Sequence, residues 1–348
     1  MQTPARADRV APDVVPAPVP AEPAMPHSRL RRLRDLVAIA RPDHWFKNVF
    51  VLPGVVVAWT MDPDASAAGL PLRLVAGLAA VCLVASSNYV INEVLDAPSD
   101  RFHPTKRHRP LAAGRVPLAA AYATWLLLMV LGLGLGVLVS PAFGLTLVAL
   151  WVMGCLYNIP PSRTKDVPYL DVLSEAVNNP IRMLAGWYLV SHAFPPASLL
   201  LSYWMVGCYF MAIKRLAELR ELADAARAGS YRRSFVHYTP ERLLVSIAFY
   251  ASAAMLFFGA FVMRYDFDLI LSFPLIALVM AVYLRLGLKA NSAAQQPEKL
   301  YREPLLMTSI VACVVLMIVL LAVDIPGLQE LFAPTVPPSS FWRLQPGP

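Results

Sequence analysis

Between residues 46 and 323 the chain alternates long apolar runs with short polar stretches. About twenty apolar residues in a helix cross the roughly 30 Å hydrocarbon core of a bilayer. That ruler predicts about nine spans, near 46–60, 72–95, 117–139, 142–158, 169–190, 198–213, 243–263, 268–286 and 304–323. Barrel strands would need alternation of period two, which these runs lack, so the expected fold class is an all-α polytopic membrane protein. The first and fourth runs are short and contain or adjoin Pro and Gly, which leaves their ends the least defined.

Charge adds an orientation. Arg29, Arg31, Arg32, Arg34, Arg41 and Lys47 precede or open the first run, and dense basic groups follow the second, fourth, sixth and eighth. The connections at 139–143 and 190–196 carry no Lys or Arg. The positive-inside rule then places the N-terminus and every basic loop in the cytoplasm and the C-terminus outside, in an integral cytoplasmic (inner) membrane protein. Residues 28–42, SRLRRLRDLVAIARP, put Leu30, Leu33 and Val37 on one helical face, the pattern of an interfacial helix or of a plain topological anchor.

Composition agrees with the pattern. Of 348 residues 57% are hydrophobic and 15% charged, and the mean hydropathy is +0.54. A net charge of +7 suggests polyanions, but no soluble basic domain is present to bind nucleic acid. Cys82, Cys155, Cys208 and Cys313 all lie inside apolar runs without a CxxC pair, which argues against disulfides and thiolate metal sites. Residues 1–27 form a Pro/Ala-rich tail expected to be disordered, 28–325 the membrane domain, and 326–348 an extracytoplasmic tail.

The candidate chemistry lies at the ends of the runs. Asn88, Asn92, Asp96 and Asp100 recur every four residues and share one helical stripe, with Glu93 beside them. Pro98 is expected to end or bend this helix near Ala97 and leave Asp100 just beyond it. Polar groups in a membrane helix are expensive unless they face a cavity or a partner. Carboxylates so spaced suit Mg²⁺, which takes few protein oxygens and completes its shell with water and phosphates. Arg101, Lys106, Arg107 and Arg109 follow, with His103 and His108, and either neutralise phosphate oxygens or simply pair with the acids. A zinc site lacks matching ligands.

A second constellation joins Arg163 and Lys165 to Asp171, Glu175 and Asn178 or Asn179 on the next helix, with Arg182 deeper. A third holds Lys214, Arg215 and Glu218, and residues 231–242 add Arg232, Arg233 and Tyr238. Each alone is readable as a topological loop. Together on one side they predict a central cavity opening to the cytoplasm.

These residues resemble the UbiA superfamily of intramembrane prenyltransferases, whose first motif Asn-Asp-x-x-Asp-x-x-x-Asp is similar to Asn92-Glu93-x-x-Asp96-x-x-x-Asp100. Within it, the stretches at 40–48, 103–114, 214–219 and 232–239 resemble the decaprenyl-phosphate phosphoribosyltransferase branch. The likeness runs from about residue 37 to 323. It implies that Asn92, Asp96 and Asp100 hold Mg²⁺, that Asp171 supplies the carboxylate of the second acidic motif, and that Lys47, Lys106, Arg107, Arg109 and Lys165 contact phosphates. Asp96, Asp100, Asp171 and Lys165 are the expected catalytic set. Asn88, Arg101, Arg163, Glu175, Arg182, Lys214 and Arg215 are expected to line the substrate. Glu93, counted with the metal ligands, replaces the usual Asp and reaches one methylene further. Asp171-x-x-x-Glu175 also resembles the DxxxD of members that use prenyl diphosphates.

The implied reaction is transfer of 5-phosphoribose from phosphoribosyl pyrophosphate to a polyprenyl phosphate. The rivals are an aromatic prenyltransferase with a polyprenyl diphosphate donor, and a transporter. Transporters place coupling residues near the bilayer midplane, whereas these carboxylates sit toward helix ends. The expected partners are a polyprenyl lipid and a diphosphate-containing donor.

Overall fold

A computed structural model describes residues 29–62, 64–65, 68–101, 106–221, 233–289, 292–295 and 297–333. All regular secondary structure among them is helical. Helix α1 (Arg29–Ala40) is followed by a 3₁₀ segment (Pro42–Val51), α2 (Leu52–Met61), α3 (Leu70–Asp100), α4 (Leu118–Val139) and α5 (Pro141–Asn158). Then come α6 (Leu170–Ala176), α7 (Asn178–Trp187), α8 (Ala197–Glu221), α9 (Pro240–Tyr265), α10 (Phe273–Gly287, entered through a 3₁₀ turn Phe267–Ser272), α11 (Pro304–Ala322) and α12 (Leu328–Leu331).

Among the described residues seven helices are long and apolar enough to cross a bilayer. They correspond to seven of the expected spans. The other two are broken. The first expected span is the 3₁₀ segment running into α2, and Arg41, with φ of 51°, turns the chain between it and α1. The fifth divides into α6 and α7 around Val177, where Pro180 has no N–H to give the Ala176 carbonyl.

Helix α3 does not stop near Ala97. It passes through Pro98 to Asp100, because the proline removes one bond, to the Val94 carbonyl, while the Arg101 amide still donates to the Ala97 carbonyl at 3.3 Å. Asp100 therefore stays in register with Asn92 and Asp96.

Two short elements meet through paired glycines. A Cβ on Gly54 of α2 would lie 1.9 Å from the Met183 carbonyl oxygen, and one on Gly186 of α7 would lie 1.9 Å from that of Val51. Membrane helices associate through such close backbone approach rather than through hydrophobic burial, since lipid is as apolar as leucine. This crossing carries Lys47 and Asn48 to Arg182.

Helix α1 packs Leu36 and Ile39 against Val90 and Val94 of α3 and exposes Leu30, Leu33 and Val37, as the periodicity predicts. Arg115 Nε donates to Asp35 Oδ1 at 3.2 Å and ties α1 to the α3–α4 connection. Hydrogen bonds also join the other basic connections to the helix ends beside them: Arg163 to Asp96, Tyr238 to Asp171, and Gln295 to the Ala217 carbonyl. At the opposite end Asp268 Oδ2 accepts from the Ile325 amide at 2.9 Å, and Phe332, in the stretch expected as an extracytoplasmic tail, meets Phe267. Residues 1–27 and 334–348 lie outside the described residues, as do His103 and Arg232.

Candidate functional site

A cavity of about 570 Å³ is enclosed by α3, α5, α6, α7, α8, α10, α11 and the 3₁₀ segment. One wall is polar. Helix α3 contributes Asn88 and Asn92 of the predicted stripe, with Tyr89 beside them, and α5 contributes Tyr157 and Asn158. Glu175 projects from α6, Asn178, Asn179 and Arg182 from α7, Lys214 from α8 and Lys47 from the 3₁₀ segment. The other wall is apolar, with Phe210, Met211, Val279, Leu306, Ile310 and Val314.

Local packing sets these side chains. Gly154 leaves room for Asn88, whose amide carbon would lie 2.1 Å from a Cβ at that position. Asn88 Nδ2 donates to the Leu150 carbonyl at 3.0 Å, while its Oδ1 is buried without a partner. Asn178 likewise donates to the Glu175 carbonyl at 3.1 Å and keeps a buried, unpartnered Oδ1. Trp45 Nε1 donates to Ser86 Oγ at 2.9 Å, which seats the 3₁₀ segment on α3.

The structure sorts the many cations of the sequence into two kinds. Arg109 Nη1 lies 2.6 Å from Asp100, Lys165 Nζ 2.6 Å and Arg163 Nη2 3.1 Å from Asp96, and Arg215 Nε 3.0 Å from Asp171. Their charges are already met by protein carboxylates. Lys47, Arg182 and Lys214 line the cavity, and among the described residues none of them has a carboxylate within 4.0 Å. Glu175 is the one carboxylate lining this cavity.

Several expectations change. Asp171 does not line the cavity. It is fully buried, accepting from Arg215, from Ser234 Oγ at 3.3 Å and from Tyr238 Oη at 2.5 Å. Tyr238 in turn accepts from the Tyr169 amide at 2.7 Å, pinning a residue whose φ is 65°. Burial first, and the Asp171 charge next, push the Tyr238 phenol well above its ordinary pKa, so it remains the donor. Arg215 is held from the other side by Glu218 at 2.8 Å. The two lie on the same short helix, but Asp171 is in its first turn, where Arg215, Ser234 and Tyr238 meet it, whereas Glu175 is one turn further in and lines the cavity.

Glu93 also lies off the cavity. It is buried and accepts from the Leu111 amide at 3.1 Å, bracing the connection after α3 instead of facing the cavity. Asp96 and Lys165 stand at the rim, linked to the cavity through Asn158 Oδ1, 3.2 Å from Lys165 Nζ. Asp100 is buried against Arg109, away from the lining. Arg101 and Arg107 are exposed, and Arg107 Nε donates to His108 Nε2 at 3.4 Å. Lys106 is half-buried and does not line the cavity.

Asn48 and Asn158 were missed by sequence reasoning. Arg182 Nε donates to Asn48 Oδ1 at 3.1 Å, and Asn48 Nδ2 to Cys82 Sγ at 3.1 Å. Asparagines at helix ends and beside Lys47 were the available signal.

Comparison with known proteins follows the same lines. A sequence profile of the UbiA prenyltransferase family matches residues 48–310. The decaprenyl-phosphate phosphoribosyltransferase of Mycolicibacterium smegmatis is 31% identical over 232 residues, which is 66% of this chain and 71% of that protein. The decaprenyl-phosphate phosphoribosyltransferase of Mycobacterium tuberculosis is 32% identical, over 66% of this chain and 74% of its own. A solved UbiA homolog from Archaeoglobus fulgidus, bound to GPP and Mg²⁺, superposes with a TM-score of 0.63 at 19% identity, covering 83% of this chain and all of that one. The last likeness establishes the fold alone. With a family match over most of its length and seven helices able to span a bilayer, the chain belongs to the UbiA prenyltransferase family and is an integral, multi-pass membrane transferase.

Proposed function

We propose that the protein transfers 5-phosphoribose from phosphoribosyl pyrophosphate to a polyprenyl phosphate and releases pyrophosphate, with its site at the cytoplasmic face of the inner membrane. The observation that carries this is the lining of the cavity: three cations without carboxylate partners and five asparagines, Asn88, Asn92, Asn158, Asn178 and Asn179. Amides both donate and accept, which suits a hydroxylated sugar phosphate. An allylic diphosphate needs cations at one end only and gains nothing from amides around its hydrocarbon. The relatives named above support the same choice.

The residues present fit Mg²⁺. Asn88 Oδ1 and Asn178 Oδ1 are buried oxygens without partners, and Asn92 and Glu175 face the same space. No group of three His, Cys, Asp or Glu able to hold a metal occurs among the described residues. That combination suits an ion completed by phosphates and water, not an all-protein cage. Asn92, Glu175 and Asn178, with Asp96 at the rim, would hold it, and Asp171 and Glu93 would not. Bound there, it would neutralise the departing pyrophosphate.

The chain's own groups do the rest. Lys214 stabilises negative charge on the diphosphate as its bond to the anomeric carbon breaks, while Lys47 and Arg182 hold the donor in place through its phosphates. A lipid phosphate oxygen forms the new bond to that carbon, and both electrons of the broken bond leave with pyrophosphate. No protein nucleophile and no proton transfer are required. The apolar wall of Phe210, Met211, Leu306 and Ile310 takes the first isoprene units. That wall is also the observation favouring the second reading, prenyl transfer from a polyprenyl diphosphate to an aromatic acceptor.

Membranes carrying the protein are incubated with labelled phosphoribosyl pyrophosphate and polyprenyl phosphate, and separately with labelled polyprenyl diphosphate and aromatic acids. Label is expected to enter lipid in the first assay. Product only in the second rejects phosphoribosyl transfer.

A further inference from the structure

Arg182 is the deepest charge in the cavity. From Leu170, where α6 begins at the basic end, to Arg182 is about 18 Å at the helical rise, allowing for the break at Val177. A charge at that depth is costly unless it meets a partner or a ligand. The protein partners it has are neutral: Nε donates to Asn48 Oδ1 at 3.1 Å and Nη1 to the Asn178 carbonyl at 3.3 Å. Nη2 has no acceptor among the described residues, so the guanidinium is oriented by two bonds and keeps a free edge. Asn48, itself 97% buried and fixed by Cys82, serves as the brace. Lys47 belongs to the same electrostatic neighbourhood, together with Lys214 and Glu175.

The acidic and amide oxygens suited to a metal are arranged differently. On α3 they run from Asn88, about level with Arg182, outward through Asn92 to Asp96, about 12 Å toward the basic end, and on α6 Glu175 also lies outward of Arg182. The cavity is therefore polarised along its depth, with the carboxylates of Asp96 and Glu175 and the Asn92 amide outward and a braced guanidinium inward. A phosphomonoester dianion matches a guanidinium edge and an ammonium without needing a metal, whereas a leaving diphosphate is the group that shares one. The lipid phosphate belongs at the membrane boundary and does not reach this depth.

We propose that Arg182, braced by Asn48, forms with Lys47 the subsite for the terminal 5-phosphate of the donor, so that phosphoribosyl pyrophosphate enters phosphate first with its diphosphate toward Asn92 and Asp96. This rests on the phosphoribosyl reading above. Arg182 acts here as a specificity determinant, because a donor without the 5-phosphate leaves it buried and unpaid.

The test separates the two ends of the donor. Binding of ribose 5-phosphate, and of inorganic pyrophosphate with Mg²⁺, is measured by calorimetry on purified wild type, Arg182→Gln and Arg182→Lys. Arg182→Gln is expected to weaken ribose 5-phosphate about 10- to 100-fold, the loss of a charged hydrogen-bonded contact, and to leave pyrophosphate unchanged. Arg182→Lys, which keeps charge without the fork, falls between, and serves alone if the Gln variant does not assemble. A loss confined to pyrophosphate reverses the orientation; equal losses for both, or no loss, remove the subsite. A wild type that forms no phosphoribosylated lipid overturns the function, whereas an active wild type with an indifferent Arg182→Gln overturns only this assignment.

Discussion

Asp171 separates a metal ligand from a structural anchor, and Asp171→Asn decides between them. The side chain is fully buried with Arg215, Ser234 and Tyr238 on its two oxygens. Asparagine removes the charge and presents an N–H₂ where two donors now point. Breaking one partner of a buried ion pair costs about 3–5 kcal/mol. Arg215 keeps Glu218 at 2.8 Å, and the asparagine carbonyl still accepts from one neighbour, so the loss is expected at the low end, about 3 kcal/mol. Thermal unfolding of the purified protein in detergent is expected to shift downward accordingly. The fraction that remains folded is expected to reach half-maximal transfer at the wild-type Mg²⁺ concentration, because the carboxylate is not in the cavity. Glu175→Gln is expected to behave in the opposite way, with stability retained and Mg²⁺ dependence moved. An Asp171→Asn protein as stable as wild type that requires about tenfold more Mg²⁺, a 1.4 kcal/mol weakening, would refute the reasoning and return Asp171 to the metal.

Gly186→Ala sets a Cβ 1.9 Å from the Val51 carbonyl oxygen, and overpacking against backbone is expected to cost about 1–3 kcal/mol in detergent stability and to raise the donor KM as Lys47 moves from Arg182. Asp96→Asn is expected to abolish transfer with the protein still folded in the membrane, and wild-type turnover in the purified variant removes Asp96 from the site. Lys214→Met is expected to weaken donor binding and to stabilise the ligand-free protein slightly, since it removes one of three cations crowded in one cavity; lower stability without ligand shows instead that Lys214 is held by contacts.

The fold was legible because its signal is long. Runs of apolar residues located every long helix, and the positions of Leu30, Leu33 and Val37 marked the exposed face of α1. What failed was continuity. A run such as 169–190 has the composition of one span, and only the placement of Pro180 and the Gly54–Gly186 crossing makes it two short helices. The site has a different limit, the neighbours that each turn of a helix meets. Spacing of four put Asn88, Asn92 and Asp96 on one stripe correctly, because α3 is continuous there. Asp171 and Glu175 share that spacing and point differently, one into a buried network and one into the cavity. Glu93 was read with its motif, yet an adjacent residue lies about 100° around a helix and here meets the Leu111 amide.

Pairing, which no periodicity encodes, is what sorts the cations into two kinds. Arg109, Arg163, Lys165 and Arg215 looked as suitable for phosphate as Lys47, Arg182 and Lys214. The first four hold connections onto helix ends by meeting Asp100, Asp96 and Asp171. Removing them would disturb the frame of the site before any ligand arrived. The last three share a cavity with one carboxylate among the described residues, Glu175, whose charge offsets part of the repulsion felt at Lys47. Because lipid raises the cost of an unmet charge above that in a soluble protein, the empty cavity stores a preference for polyanions.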